Sequence, residues 1–233
     1  MNIPEFKNRT PSQIINEMIF FESSGRAYKA LSWLDYAKSN NNVSALEYAA
    51  LEARLAIEQL LFEQIIISVG TELDKSNYKK CSGNAKDLSR MIEKLTPHYE
   101  KLIDFTKAMA PTDFPITQWD NRALVKYHGK ISNYLHWSGG LDVTVKSEKW
   151  LKCGISKVES AIGYVWHGLT TGNTGIMPIE KLEPEFQELW LLFLNDKITI
   201  TEVVQKAAEI EPVLQARLTM RSLRSPGPAK PAP

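Results

Sequence analysis

The sequence predicts an all-α protein: a helical bundle with a small C-terminal helical segment and at most one or two short extended pieces. Three observations carry that prediction. Apolar residues recur at three- and four-residue spacing along most of the chain. One run, from Ala45 to about Val69, is apolar nearly all round, as a central helix with neighbours on several sides would be. Alternation with a period of two is confined to short stretches such as Leu141, Val143 and Val145.

The elements follow in order. Residues 1–11 read as an irregular lead punctuated by Pro4 and Pro11. A helical pattern covers 12–21, and Ser23, Ser24 and Gly25 are expected to kink or interrupt it. The next helix runs from Arg26 to Lys38 with Ala27, Ala30, Leu31 and Leu34 on one face. SNNN at 39–42 is a polar turn, and Ser44 opens the central helix. Its buried face comprises Leu46, Ala49, Ala50, Ala53, Ile57, Leu60, Leu61 and Ile65. Within it Arg54 and Glu58 stand at i and i+4. They read as an ion pair that fixes packing, with support for a nearby site as the alternative.

Residues 70–84 are loop-like and end in CSGN. A short helix covers 85–95, and Thr96-Pro97 starts another that ends near Met109. Residues 110–118 form a loop held by Pro111 and Pro115. The stretch 117–137, TQWDNRALVKYHGKISNYLHW, is then a helix opened by Thr117 and Asp120 and closed by Ser138-Gly139-Gly140. Ser147 begins a helix to about Leu169, with Trp150, Leu151, Ile155, Val158, Ile162, Val165 and Trp166. Pro184 to Asn195 is aromatic and aliphatic, and Thr199 with Glu202 forms a capping box for the next helix. The last residues, RSLRSPGPAKPAP, are Pro-rich and basic and read as disordered. The domain organisation expected is a bundle over 1–170, a linker at 171–178, a small helical segment at 179–223 and a tail at 224–233.

Composition narrows the function classes. Apolar residues make up 43% and charged residues 24%, ordinary for a soluble globular chain. The net charge of +1 supplies no global field toward nucleic acid or membrane. Cys81 and Cys153 lack metal spacing and argue for a reducing compartment. The N-terminus has no basic-then-apolar leader pattern. Glu58, Gln59, Glu63 and Gln64 break the most apolar run, so it cannot span a bilayer. A cytoplasmic protein without membrane contact is expected. The glycines form no phosphate-binding loop, and no G-x-S-x-G, H-E-x-x-H or C-x-x-C is present. Neither a metal site nor a cofactor is predicted.

What remains lies on the helix of 117–137. Leu124, Tyr127, Ile131, Tyr134 and Leu135 form its apolar stripe. His128 falls at the border, with Asn121 and Ser132 on the same side. Arg122, Lys126, Lys130 and Asn133 point away. Arginine offers a permanent charge and a planar fork for phosphate oxygens. Histidine takes a proton from a ribose 2′-hydroxyl, or returns one to a leaving oxygen, near neutral pH. The pair Arg122 and His128 would therefore suit RNA cleavage without a metal, with Asn121, Lys126, Lys130 and Ser132 binding substrate. A histidine at the edge of an apolar stripe also suits a packing role.

Arg122-Ala-Leu-Val-Lys-Tyr-His128, followed by Gly129, resembles the R-x4–6-H signature, often ending His-Gly, of the HEPN superfamily of small helical proteins. The Ala-rich helix AALEARLAIEQLLFE at 49–63 resembles the early helix that packs against the motif helix in that family. The resemblance covers about residues 24–137. It implies a metal-independent ribonuclease with Arg122 and His128 as its catalytic pair. It also implies a homodimer with a composite cleft, of the kind found in toxins and antiphage defence. Ala123 departs from the polar residue that family nucleases commonly carry after the arginine. Six residues apart on an ideal helix, Arg122 and His128 point about 120° from one another and would meet across a dimer.

Two other readings stand beside it. One is a non-catalytic adaptor that assembles with a larger effector protein through 141–223, with Trp150, Trp166, Trp190 and Phe193 as anchors or as core. The other is nucleic-acid binding by the C-terminal segment, although 179–211 is acidic on balance.

Overall fold

A computed structural model describes residues 22–69, 76, 84–110, 115–135, 146–172, 179 and 182–224. Among these residues the protein is all-α: eight helices and no strand. The lead at 1–11, the helical pattern at 12–21, His136, Trp137 and the glycines after them, the alternating stretch at 141–145, most of the 171–178 linker and the tail beyond Arg224 lie outside the described residues.

The chain forms two units, the first from 1–99 and 112–176, the second from 100–111 and 177–233. The first is built on α1 (Glu22–Asn40) and α2 (Val43–Val69). Ala27, Ala30, Leu34 and Ala37 of α1 are buried, as are Ala45, Ala49, Ala50, Ala53 and Ala56 of α2. Small side chains on both faces let two helices approach closely. The part-buried pair Arg26–Glu52, at 3.1 Å, joins the same two helices. On the same helix Leu46, Ile57, Leu61 and Ile65 are fully buried, each contributing roughly 1.5–3 kcal/mol by leaving water. Helix α2 is therefore the central element, contacted by α1, by α3 (Ala85–Leu95), by α5 (Asn121–Ser132) and by α6 (Glu148–Thr171). The second unit contains α4 (Tyr99–Met109) from Glu100 onward, α7 (Pro184–Leu194) and α8 (Ile200–Arg224). Its centre is aromatic: Phe105 meets Trp190 at 5.3 Å and Phe193 at 6.2 Å between ring centroids.

Several boundaries differ from the expected ones, each for a local reason. Helix α1 runs through Ser23, Ser24 and Gly25 without a break. Glu63 of α2 accepts from the Ser23 N–H at 3.0 Å and from its hydroxyl at 2.5 Å, so the polar pair is held rather than left to solvent. Asn42, not Ser44, opens α2: its Oδ1 accepts from the Ala45 N–H at 2.8 Å, after Asn41 has turned the chain with φ 49°. Thr96 closes α3, and the following helix begins at Tyr99, after His98 with φ 66°. Helix α8 continues through Pro212 to Arg224, one residue past the expected end of the helical segment at 223. The capping box of Thr199 and Glu202 is formed as expected, with the Thr199 N–H donating to Glu202 at 2.7 Å and the Glu202 N–H to Thr199 Oγ1 at 3.3 Å. No helix among the described residues is long and apolar enough to cross a membrane.

Candidate functional site

Helix α5 carries the predicted functional residues, and the segment before it is docked on α6. Thr117 donates its hydroxyl to the Gly168 carbonyl at 3.0 Å. The Trp119 ring lies where a Cβ on Gly168 would collide with it. The Asp120 N–H reaches Tyr164 Oη at 3.2 Å, and Tyr164 packs on Trp119 and Tyr127. Asp120 rather than Thr117 is the N-cap, its carboxylate accepting from the Ala123 N–H at 2.9 Å. The helix is regular from Asn121 to Ser132 and then gives way to turns, shorter than the 117–137 expected. Leu124 and Ile131 are fully buried, which fixes the helix's rotation against α2.

That rotation brings His128 to α2. Its Nε2 lies 2.6 Å from Glu58 Oε1. Arg54 Nε donates to the same Oε1 at 3.0 Å and stands 3.2 Å from His128 Nε2. One carboxylate oxygen is thus shared by an imidazole and a guanidinium. Burial pushes the Glu58 carboxyl up, but the hydrogen bonds and charges of His128 and Arg54 outweigh it and hold the group below its usual value. Glu58 is then an acceptor only, so a neutral His128 bonded to it carries its proton on Nε2. Nε2 has no lone pair in that tautomer, so the Arg54 Nε–H, which points between Glu58 Oε1 at 3.0 Å and His128 Nε2 at 3.2 Å, is accepted by the carboxylate. Nδ1 keeps the lone pair, and it makes no hydrogen bond to a described residue. The side chain of His128 is 12% exposed and that of Glu58 21%. The arrangement is an oriented imidazole with a basic nitrogen left over, supported by a carboxylate and a cation.

The other predicted residues are placed differently. Arg122 is exposed, in the first turn of α5, and pairs with no described residue. Six residues of helix put it about 9 Å farther along the axis than His128, so the two do not form a contact pair within this helix. Lys126 and Lys130 are exposed, Lys130 with its Nζ 5.9 Å from the Tyr127 ring centroid. Ser132 donates to the His128 carbonyl at 2.8 Å, which commits its hydroxyl to the helix backbone. Asn121 has its Oδ1 buried without a hydrogen-bond partner among the described residues. Of the proposed anchors, Trp190 is buried, Trp150 meets Tyr134 at 5.0 Å and Trp166 meets Tyr28 at 6.3 Å. No group of three or more His, Cys, Asp or Glu residues that would hold a metal ion occurs among the described residues.

No family model, curated protein or solved structure matches the chain.

Proposed function

We propose that the protein is a metal-independent ribonuclease of HEPN-like type, acting as a toxin or antiphage-defence effector, in which His128, Glu58 and Arg54 form the reacting centre. The approach of His128 Nε2 to Glu58 Oε1, 2.6 Å, carries this reading. An orienting carboxylate sets the tautomer, and His128 Nδ1 serves as general base. It takes the proton of a ribose 2′-hydroxyl as that oxygen attacks the neighbouring phosphorus. The bond to the 5′-oxygen breaks, and that oxygen takes a proton from solvent water to leave as a 5′-hydroxyl, while the His128 imidazolium gives its proton to the hydroxide left behind. The other product ends in a 2′,3′-cyclic phosphate. Glu58 stabilises the imidazolium formed on the way, and Arg54 keeps Glu58 ionised. Arg122, Lys126 and Lys130 hold the RNA backbone from the exposed side of α5, and Asn121 contacts substrate at its start. Arg54 supplies a guanidinium inside one chain, so Arg122 is not required to reach His128.

The test is to incubate purified protein with end-labelled RNA in EDTA and identify the product ends. Cyclic phosphate and 5′-hydroxyl ends support the reading, and uncut RNA removes it. A second reading has its own observation: the same three side chains tie α5 to α2, which would serve a non-catalytic helical subunit of a larger effector. Uncut RNA together with a defined complex, whose stability depends on His128, supports that reading instead.

A further inference from the structure

The cations on the outer side of α5 form a row. Arg122, Lys126 and Lys130 are exposed and stand four residues apart, about 6 Å of axial rise at each step. Each step also turns the row about 40° around the axis, toward the border where Tyr127 meets Tyr164 of α6 at 5.5 Å. The next position in the row is Tyr134, just past the helix end, and the cation there comes from α6. Lys157 holds its Nζ 5.5 Å from the Tyr134 ring centroid. Lys130 sits over Tyr127 in the same way, at 5.9 Å. Helix α5 contains no acid, and the Asp120 carboxylate before it accepts from the Ala123 N–H. The two acids of α6, Glu148 and Glu159, pair with Lys152 and Lys38 on the helix's other flank. A chain whose net charge is only +1 thus gathers four cations along one furrow between α5 and α6.

We propose that this furrow is a track for the sugar-phosphate backbone of one unpaired RNA strand, with Lys157 of α6 as its far anchor. The choice of RNA as ligand rests on the nuclease reading. Cations at every fourth helical position match successive phosphates along a single strand, and phosphate contacts carry no base preference. A duplex presents two phosphate lines on opposite sides of a groove, and one line of cations follows only one of them. Pairing also holds RNA in the A-form, where the 2′-oxygen does not lie in line with the bond to the 5′-oxygen. The strand that is cut is therefore an unpaired one. Gly129 lies on the outer side of α5 between Lys126 and His128, is exposed, and has nothing within 4 Å of its Cβ position. The strand crosses α5 over that bare backbone to pass from the row to His128. Tyr127 and Tyr134 hold Lys130 and Lys157 over their faces, so these two lysines lose less freedom on binding.

The probe is a labelled 2′-O-methyl RNA strand, which cannot supply the attacking hydroxyl. Its binding to the full chain is followed by fluorescence anisotropy at several salt concentrations. Salt-dependent binding, equal for two unrelated sequences, is expected. Lys157→Ala should weaken it severalfold and lower the salt slope by about one. Lys152→Ala removes the same charge five residues earlier, about 140° around α6, and should leave affinity and slope unchanged. The same strand paired with its complement should bind more weakly, and so should polyglutamate. Absent binding, wild-type affinity in Lys157→Ala, an equal loss in Lys152→Ala, or duplex or polyglutamate bound as tightly as the single strand each overturns the proposal. Cleavage of ordinary RNA by the same wild-type sample separates the two readings. An uncut strand that still binds through Lys157 removes the nuclease and leaves the track. Cleavage with unchanged binding by Lys157→Ala removes the track alone.

Discussion

Glu58 on α2 and His128 on α5 meet at 2.6 Å across seventy residues of sequence. The contact has two consequences. It locks the rotation of α5 against the central helix, and it chooses which imidazole nitrogen keeps its lone pair.

The first prediction is a pH dependence of stability. Glu58 has its carboxyl held below the usual 4.5 in the folded protein. In the unfolded chain the group returns to that value and binds protons more readily. Stability from this group is therefore complete above pH 4.5 and is lost as pH falls through the lower folded value. Glu58→Gln has nothing to titrate. Thermal melts from neutral pH into the acid range should show the wild type losing more of its melting temperature than Glu58→Gln. Parallel losses in the two proteins would deny the group this role.

Much of this was legible in the sequence. The all-α class follows from spacing alone, because helix faces repeat at 3.6 residues whatever they pack against. The buried faces of α1 and α2 follow in the same way, down to Ala27, Ala30 and Leu34. Boundaries were less legible. Asn42 and Ser44 are both good caps, and so are Thr117 and Asp120, and only tertiary contacts decide between them. Thr117 is taken by the Gly168 carbonyl, which leaves Asp120 to cap α5. Arg54 and Glu58 were visible as a polar pair in an apolar helix. Their link to His128 was not, because it depends on how two helices rotate against each other. The signal that could have raised it is the charge itself: an acid on a helix apolar nearly all round needs a partner, and the nearest border histidine is one.

Arg122→Ala should leave stability within about 0.5 kcal/mol of wild type, because the side chain is exposed and pairs with no described residue. On the proposed function it weakens RNA binding and lowers the salt slope of binding by about one. Fluorescence titrations at several salt concentrations measure both. A large drop in melting temperature would show that Arg122 belongs to the fold.

Two glycines should respond in opposite directions to alanine. A Cβ on Gly154 would stand 2.6 Å from Leu46 Cδ2 and 2.7 Å from Tyr134 Cε1, both on packed side chains. Overpacking of that kind costs about 1–3 kcal/mol, more than the roughly 1 kcal/mol that alanine adds to a helix. Gly129, beside His128, has nothing within 4 Å of its Cβ position. Gly129→Ala should therefore raise stability by up to about 1 kcal/mol. Urea unfolding of both variants checks the pair, and a stabilised Gly154→Ala would contradict the packing of α6 on α2.

The most direct measurement is the RNA cleavage rate of wild-type and His128→Ala protein in EDTA, with thermal stability recorded on the same samples. The account predicts cleavage by the wild type and a loss of about a hundredfold or more in the variant, since a positioned proton-transfer group is removed. It also predicts that His128→Ala stays folded, because Arg54 still holds the Glu58 carboxylate at 3.0 Å. Wild-type cleavage by folded His128→Ala would contradict the assignment of His128 as the base.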